Sequence, residues 1–373
     1  MTSTSTTDAM HWDAEIGAFR ITGYDEAAAV LRGEGWSSDL RLSPLVNEEL
    51  KDFPGGSMLS ADGSEHSRLR RPISPAFTQK AIESLRPRVA AIVDSVLDGL
   101  SEVGPQFDVL ADVGYPVALA VITELLDVGN DGAQLFAELT PALARGIEFD
   151  ASLDDLMAAA AASTEMMLFL TPIIAERRSN RGEDFISSLL ALEGDQPDEL
   201  SLGEIMTMCT ILLIAGHETT ANLIANSTLA LLQDPGQIPA LLADPARAVE
   251  ELLRCHGPVK LLTRTALTDH EIAGHRIPAG HAILLDVQAA NRNPDRFPGA
   301  ERMDLTREPA GHLGFGTGIH FCLGAALARL EAAETLSRLF TRHPNLAPIG
   351  SSVRWRESRI LHALQELPVR FET

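Results

Sequence analysis

The chain has 373 residues, 45% hydrophobic and 22% charged, which supplies ample material for a large core and excludes collagen-like, low-complexity and wholly disordered readings. Lys and Arg total 30 against 52 Asp and Glu, and the net charge of −22 argues against a general nucleic-acid binder or a protein held on anionic membrane. Cys209, Cys255 and Cys322 are far apart, odd in number and form no C-x-x-C pair, so no disulfide framework is expected and a reducing cytoplasm fits.

In chain order, residues 1–12 lack a basic stretch followed by an apolar one and read as a flexible tail, not a signal peptide. No repeat, Gly/Ser linker or block of like charge marks a boundary, so one domain over residues 1–373 is expected. Residues 18–22 have strand character. From about residue 62 to 256 apolar residues recur at threes and fours, and the pattern predicts helices over 81–100, 116–126, 153–177 and 202–232. Ser201 and Glu204 form a capping box at the start of the last of these, and Asp234-Pro235 stops it, giving a helix long enough to cross a domain. Asp244-Pro245 opens and Gly257-Pro258 closes a helix of about three turns, which puts Glu251 and Arg254 three apart on one face. Strand character returns over 261–287 and 367–371, so the expected fold class is mainly α with small β-sheets. The most apolar run, 206–216, is shorter than the ~20 residues of a membrane span, and no membrane partner is expected.

Residues 314–324 read GFGTGIHFCLG and join an extended region to a helical run over 325–340. Glycines 314, 316 and 318 permit backbone angles that a Cβ resists and let the chain lie flat against a planar body. Cys322 falls at the start of the helix, where free N–H groups and the positive dipole end favour the thiolate that ligates metal. A thiolate axial ligand donates electron density to haem iron and favours O–O cleavage. A dinucleotide loop fits worse, because the glycines depart from G-x-G-x-x-G and no acidic residue follows in a βαβ setting.

With Phe315, Gly318, Cys322 and Gly324 this loop matches F-x-x-G-x-x-x-C-x-G, and together with three further motifs from His66 onward the sequence resembles the cytochrome P-450 superfamily, the haem-thiolate monooxygenases, in their soluble bacterial form. The resemblance implies the cytochrome P-450 fold, with a long central helix over haem b (iron protoporphyrin IX), Cys322 as proximal iron ligand and Phe315 packed beside its sulfur. It also implies cofactor contacts from Gly314, Gly316, Gly324, Ala328 and Leu262. Residues 215–220, AGHETT, match A/G-G-x-D/E-T, which implies Ala215 and Gly216 over the haem face, Thr219 in the oxygen pocket and Glu218 relaying protons from solvent. A mid-helix threonine hydroxyl can bond back to a carbonyl one turn earlier and bend the helix, and proton delivery needs a titratable group behind it. A zinc reading of His217-Glu218 fails, since H-E-x-x-H requires a histidine where Ala221 stands. Glu251-x-x-Arg254 resembles the family's E-x-x-R, with Arg302 expected to complete a structural ion-pair cluster. His66 and Arg70 resemble H-x-x-x-R, and with Arg264 and His320 they match donors for the two propionates.

The resemblance thus implies insertion of one atom of O₂ into a small or medium hydrophobic substrate, by hydroxylation or epoxidation, in secondary metabolism or catabolism. The rival readings are oxidative coupling or desaturation by the same chemistry, and a non-catalytic haem sensor or electron carrier. Pocket walls are implied at about 38–58, 135–150, 208–215 and 259–262, with Ile211, Ala215, Val259, Lys260 and Leu261 as candidate substrate contacts. Lys260 either pairs with a substrate carboxylate or snorkels to solvent. The sequence carries no flavin or ferredoxin segment, so electrons from NAD(P)H are expected only indirectly, through a separate ferredoxin and ferredoxin reductase. Arg68, Arg71 and Arg329 are the expected basic docking patch, and a cytoplasmic monomer is favoured.

Overall fold

The side chains of Thr78, Ser152, Asp184, Ser201, Asp244 and Asp286 cap helix N-termini and so fix where those helices begin. The computed structural model describes residues 9–46, 48, 57–182, 184–194, 199–309, 311–350 and 352–371. The helices are α1 (Tyr24–Arg32), α2 (Gly63–Ile73), α3 (Gln79–Val103), α4 (Tyr115–Leu126), α5 (Gly129–Gly146), α6 (Leu153–Ser179), α7 (Phe185–Leu190), α8 (Leu202–Gln233), α9 (Ile238–Ala243), α10 (Pro245–His256), α11 (Val287–Ala290) and α12 (Ala325–Arg342). The strands are β1 (Met10–Asp13), β2 (Ala18–Ile21), β3 (Trp36–Ser37), β4 (Gln106–Asp108), β5 (Leu261–Ala266), β6 (His270–Ile272), β7 (His275–Ile277), β8 (Ala282–Asp286), β9 (Ala347–Pro348) and β10 (Pro368–Arg370). The capping box forms as expected: the Ser201 hydroxyl accepts the Glu204 N–H at 3.3 Å, and the Glu204 carboxylate accepts the Ser201 N–H at 2.8 Å. Asp244 caps α10 by accepting the Arg247 N–H at 3.2 Å.

Helix α5 was absent from the predicted elements, because Gly129, Gly132 and Pro141 interrupt its text. It forms because its other face packs along α6, a tertiary contact that outweighs local propensity. The tail reading of residues 1–12 also needs correction. Residues 1–8 lie outside the described part, but Met10 is buried and opens a strand paired antiparallel with β2. That strand is the edge of a sheet ordered β1-β2-β8-β5-β3, in which β2 runs parallel to β8. The surface that β2 in turn pairs with, β8, arrives from more than 260 residues along the chain, which no local pattern announces.

The expectation that no segment is long enough to span a membrane is likewise corrected. Three helical segments, Val109–Leu126, α6 and α8, are long and apolar enough by length and composition. Helix α8 is largely buried, packed against α4 and α12, whereas α6 leaves Met157 and Leu168 exposed. The main core gathers α3, α4, α8, α10 and α12, and each Leu, Ile or Phe fully buried there contributes roughly 1.5–3 kcal/mol. A second core, around Ile21, Ile283, Leu285 and Phe297, holds the large sheet against α1.

Two histidines near that junction make stability depend on pH. His256 ends α10, and His362 stacks on Trp355 with ring centroids 3.7 Å apart; Asn226 donates to both backbone carbonyls. Burial first, then neighbouring cations, pushes both imidazoles from 6.5 to about 4: Arg292, His362 and Arg254 act on His256, and Lys260 and Arg292 on His362, with Glu251 opposing the shift at His256. The unfolded chain therefore takes up these protons first, so the contribution is complete above pH 6.5 and is lost as pH falls toward 4. The denaturant midpoint should decline across that window, and His362→Gln should flatten the decline; an unchanged slope would remove these histidines from the account.

Candidate functional site

Positive-φ glycines keep the segment before α12 out of helix. Gly316 has φ 64° and Gly318 has φ 76°, and a Cβ on Gly318 would stand 2.2 Å from the Leu31 carbonyl oxygen, so only glycine lets the loop lie against α1. The Gly314 N–H donates to His312 Nδ1 at 3.0 Å, and the Cys322 N–H returns to the Phe315 carbonyl at 3.0 Å, which closes the loop. Cys322 precedes the helix by three residues and does not sit in its first turn, since Gly324 is the N-cap and Ala325 the first helical residue. Ala328 lies half-buried in that first turn, its N–H bonded to the Gly324 carbonyl. Burial pushes the Cys322 thiol above its ordinary value, and the Gly324 amide together with the charges of Arg70 and Arg329 works against that rise. The Arg329 guanidinium lies over the Phe315 ring, 4.6 Å from its centroid.

Four basic side chains converge beside this loop, as the sequence led us to expect. The rings of His66 and His320 lie 4.3 Å apart, and Arg70 donates to the carbonyls of Ile319 at 3.1 Å and Phe321 at 2.5 Å. His320 Nε2 lies 3.1 Å from the Ser38 hydroxyl and 3.7 Å from Asp62. Arg264, 9% exposed, makes no ion pair among the described residues; its hydrogen bond goes to the carbonyl of Thr263 at 2.7 Å. Burial pulls Arg264 down to about 10 and His320 to about 4, at His320 with help from Arg264, His66 and Arg70, and in both cases against the opposing charge of Asp62. A buried guanidinium with no carboxylate in contact is expensive unless an anion answers it. This donor set therefore fits the carboxylate arms of a group such as haem, which Cys322 would hold through its thiolate.

On α8 the Thr219 hydroxyl donates back to the Ala215 carbonyl at 2.6 Å, as predicted. Ala215 is exposed on a helix that is otherwise mostly buried, and Ile211 lies half-buried one turn before it. A Cβ on Gly216 would point at Ile122 of α4, 3.5 Å away, so the helix approaches α4 closely on that side. Glu218 is 3% exposed, so it does not meet solvent directly. Its carboxylate takes hydrogen bonds from Tyr115, Asn222 and Arg356, and His217 packs beside Tyr115 with ring centroids 4.9 Å apart. Burial carries the Tyr115 hydroxyl upward, and it stays a donor.

Glu251 and Arg254 form a two-bond ion pair at 2.7 Å and 2.7 Å, both buried, and Arg254 also donates to the carbonyls of Asn291, Ala300 and Arg302. The completing cation is Arg307, whose Nε lies 3.1 Å from Glu251. Arg302 supplies only its backbone carbonyl and has an exposed side chain, which corrects the expected third member. Both arginines stand shortly before the glycine loop, and nothing local distinguishes them; only the path of the chain past Glu251 does. Tyr115 and Arg356 were missed for the same reason, lying 103 and 138 positions from Glu218.

Leu261 and Leu262 open β5, with Leu261 buried, and Val259, two residues before the strand, is bridged to Leu361. The Lys260 ammonium donates to the Ser358 carbonyl at 2.5 Å, so it is engaged by the protein itself. Of the pocket walls expected at 38–58, residues 47 and 49–56 lie outside the described part. Arg68 and Arg329 do not stand as free cations: Arg68 is paired with Glu65 and Glu204, and Arg329 with Glu250. Arg71 also has an interaction partner.

The family model for Cytochrome P450 matches residues 150–243 and 246–348. The chain is 39% identical over 358 residues to cytochrome P450 monooxygenase PikC of Streptomyces venezuelae, covering 94% of this chain and 84% of that protein. It is 35% identical over 377 residues to 6-deoxyerythronolide B hydroxylase of Saccharopolyspora erythraea, covering 95% and 90%. Among solved structures it resembles P450BioI in complex with hexadec-9Z-enoic acid ligated acyl carrier protein, with a TM-score of 0.88, 33% identity and coverage of 98% and 95%.

Proposed function

The chain belongs to the cytochrome P450 family of haem-thiolate monooxygenases, and from that premise we propose that it hydroxylates or epoxidises an apolar metabolite of small or medium size. The observation that carries the reading is the cluster of His66, Arg70, Arg264 and His320 knit to the loop of Cys322, with a buried guanidinium that finds no carboxylate in contact among the described residues. Cys322 would hold haem b through its thiolate and this cluster would hold its propionates; haem so held would supply the O₂ activation by which, with two electrons and two protons, one oxygen atom enters a C–H or C=C bond and the other leaves as water.

The protein's own part is to hold, orient and shield. The Gly324 amide and the charges of Arg70 and Arg329 favour the thiolate against burial. Phe315, under Arg329, walls the sulfur from solvent, and Gly314, Gly316, Gly324 and Ala328 leave the loop thin enough for close approach. Ala215, exposed on an otherwise buried helix, faces the reacting side together with Thr219, whose hydroxyl donates its proton to the Ala215 carbonyl and so presents its oxygen as a hydrogen-bond acceptor on that side. Glu218 passes protons to it. Ile211, Val259, Leu261 and Leu262 give the substrate an apolar wall that excludes water. The word hydroxylase in the name of one relative supports the hydroxylation arm. Electrons arrive from a separate ferredoxin and its reductase, and the free thiols of Cys209, Cys255 and Cys322 suit a cytoplasmic location.

The test is spectral and then isotopic. The reduced, CO-bound protein should show the strongly red-shifted Soret band of thiolate ligation, and ¹⁸O₂ should label the product. A band at the position of histidine-ligated haem proteins overturns the site; a product free of label moves the reaction to coupling or desaturation.

A further inference from the structure

Because Glu218 is 3% exposed, a proton from solvent reaches it only past the side chains that close over it. Arg356 stands on the solvent side: its side chain is 33% exposed while that of Glu218 is 4%. Its Nη2 donates to Oε2 at 2.5 Å and its Nη1 to Oε1 at 3.4 Å, a fork that meets both carboxylate oxygens. From the protein side the Tyr115 hydroxyl reaches the same oxygens at 3.3 and 3.4 Å, and Asn222 Nδ2 donates to Oε2 at 3.3 Å. Arg356 belongs to the C-terminal segment, which returns to α8 on its own backbone pairing, Arg356 N–H to the Ala363 carbonyl at 2.8 Å beside the Trp355–Leu364 bridge. The guanidinium is thus anchored independently of the acid it holds.

We propose that Arg356 is the positioning residue of the proton-delivery carboxylate, holding Glu218 in one orientation through a two-point fork and forming the solvent-side wall past which protons enter. Two-point guanidinium–carboxylate bonds fix direction as well as distance, which a single-point contact does not. Tyr115 and Asn222 then limit the carboxylate from the inner side, so its freedom to turn toward Thr219 is governed at the Arg356 contact. The inference rests on the reading that Glu218 supplies protons to Thr219, and the variants separate the two.

The holoenzyme is assayed with a surrogate ferredoxin and reductase, and the fraction of NADH electrons recovered in product is compared with that lost as hydrogen peroxide. Glu218→Gln tests the underlying reading: it should lower that fraction several-fold, and parental coupling would overturn the reading itself. Where Glu218→Gln uncouples, Arg356→Gln should uncouple by a comparable factor, Arg356→Lys should fall between it and the parent, and the double variant should be no worse than Glu218→Gln. Parental coupling in Arg356→Gln, or a double-variant loss equal to the product of the two single losses, overturns the positioning role. A second readout is independent of turnover: in ¹³C-glutamate-labelled protein the carboxylate infrared band that vanishes in Glu218→Gln should shift in Arg356→Gln, and an unshifted band counts against the proposal. If Arg356→Gln does not accumulate folded, Arg356→Lys carries both measurements, since a point charge cannot reproduce the fork; parental values in both then overturn it.

Discussion

Replacing Cys322 with alanine removes the red-shifted Soret band of the reduced, CO-bound protein and takes monooxygenation to background, while Cys209→Ala and Cys255→Ala leave both intact. The three thiols differ in what surrounds them. Burial pushes Cys209 and Cys255 up to about 12, and at Cys255 the neighbouring Glu251 adds to the rise, so neither is set to become a thiolate. At Cys322 burial is opposed by a backbone amide and two arginines, and the residue opens onto the basic cluster through Arg70. The iron–thiolate bond has no substitute in that loop. A Cys322→Ala protein that keeps the thiolate spectrum would remove the site from this loop altogether.

The second large effect is on stability. Glu251→Gln or Arg254→Leu should lower unfolding free energy by about 3–5 kcal/mol, because each leaves a charge buried without its partner. The side chains of Arg254 and Glu251 are 2% and 3% exposed, so solvent cannot take the partner's place. Arg254 also carries the carbonyls of Asn291, Ala300 and Arg302, so its loss unties α10 from the segment leading to the cysteine loop. Arg307→Ala should cost less, its side chain being 18% exposed, and Arg302→Ala should stay within about 0.5 kcal/mol of the parent. Denaturant titration of the four variants checks the order, and equal losses at 302 and 307 would contradict the assignment of Arg307 as the third member.

Much was readable locally. The Ser201–Glu204 box, the Asp244 cap and the back-bonded Thr219 depend on residues three or four positions apart, and they formed as their spacing predicts. The motifs around Cys322, Glu218, Glu251 and His66 were legible because each is contiguous, and the family they indicate is the one to which the chain belongs. Helix α5 was not legible, since its glycines and proline argue against a helix that exists by packing on α6.

What the sequence by itself determined is the chemistry on offer: a thiol after a glycine loop, an acid beside a threonine, four basic side chains and a helix long enough to carry some of them. What only the tertiary structure decided is which distant groups answer them: Arg307 and not Arg302 at Glu251, Arg356 and Tyr115 at Glu218, and a strand from the supposed tail at the sheet edge. The physical reason is range. Caps and helical faces are set by bonds within one turn, whereas burial and charge pairing are settled only when segments well apart in the chain, 56 positions for Arg307 and Glu251 and 138 for Arg356 and Glu218, exclude water from the same point.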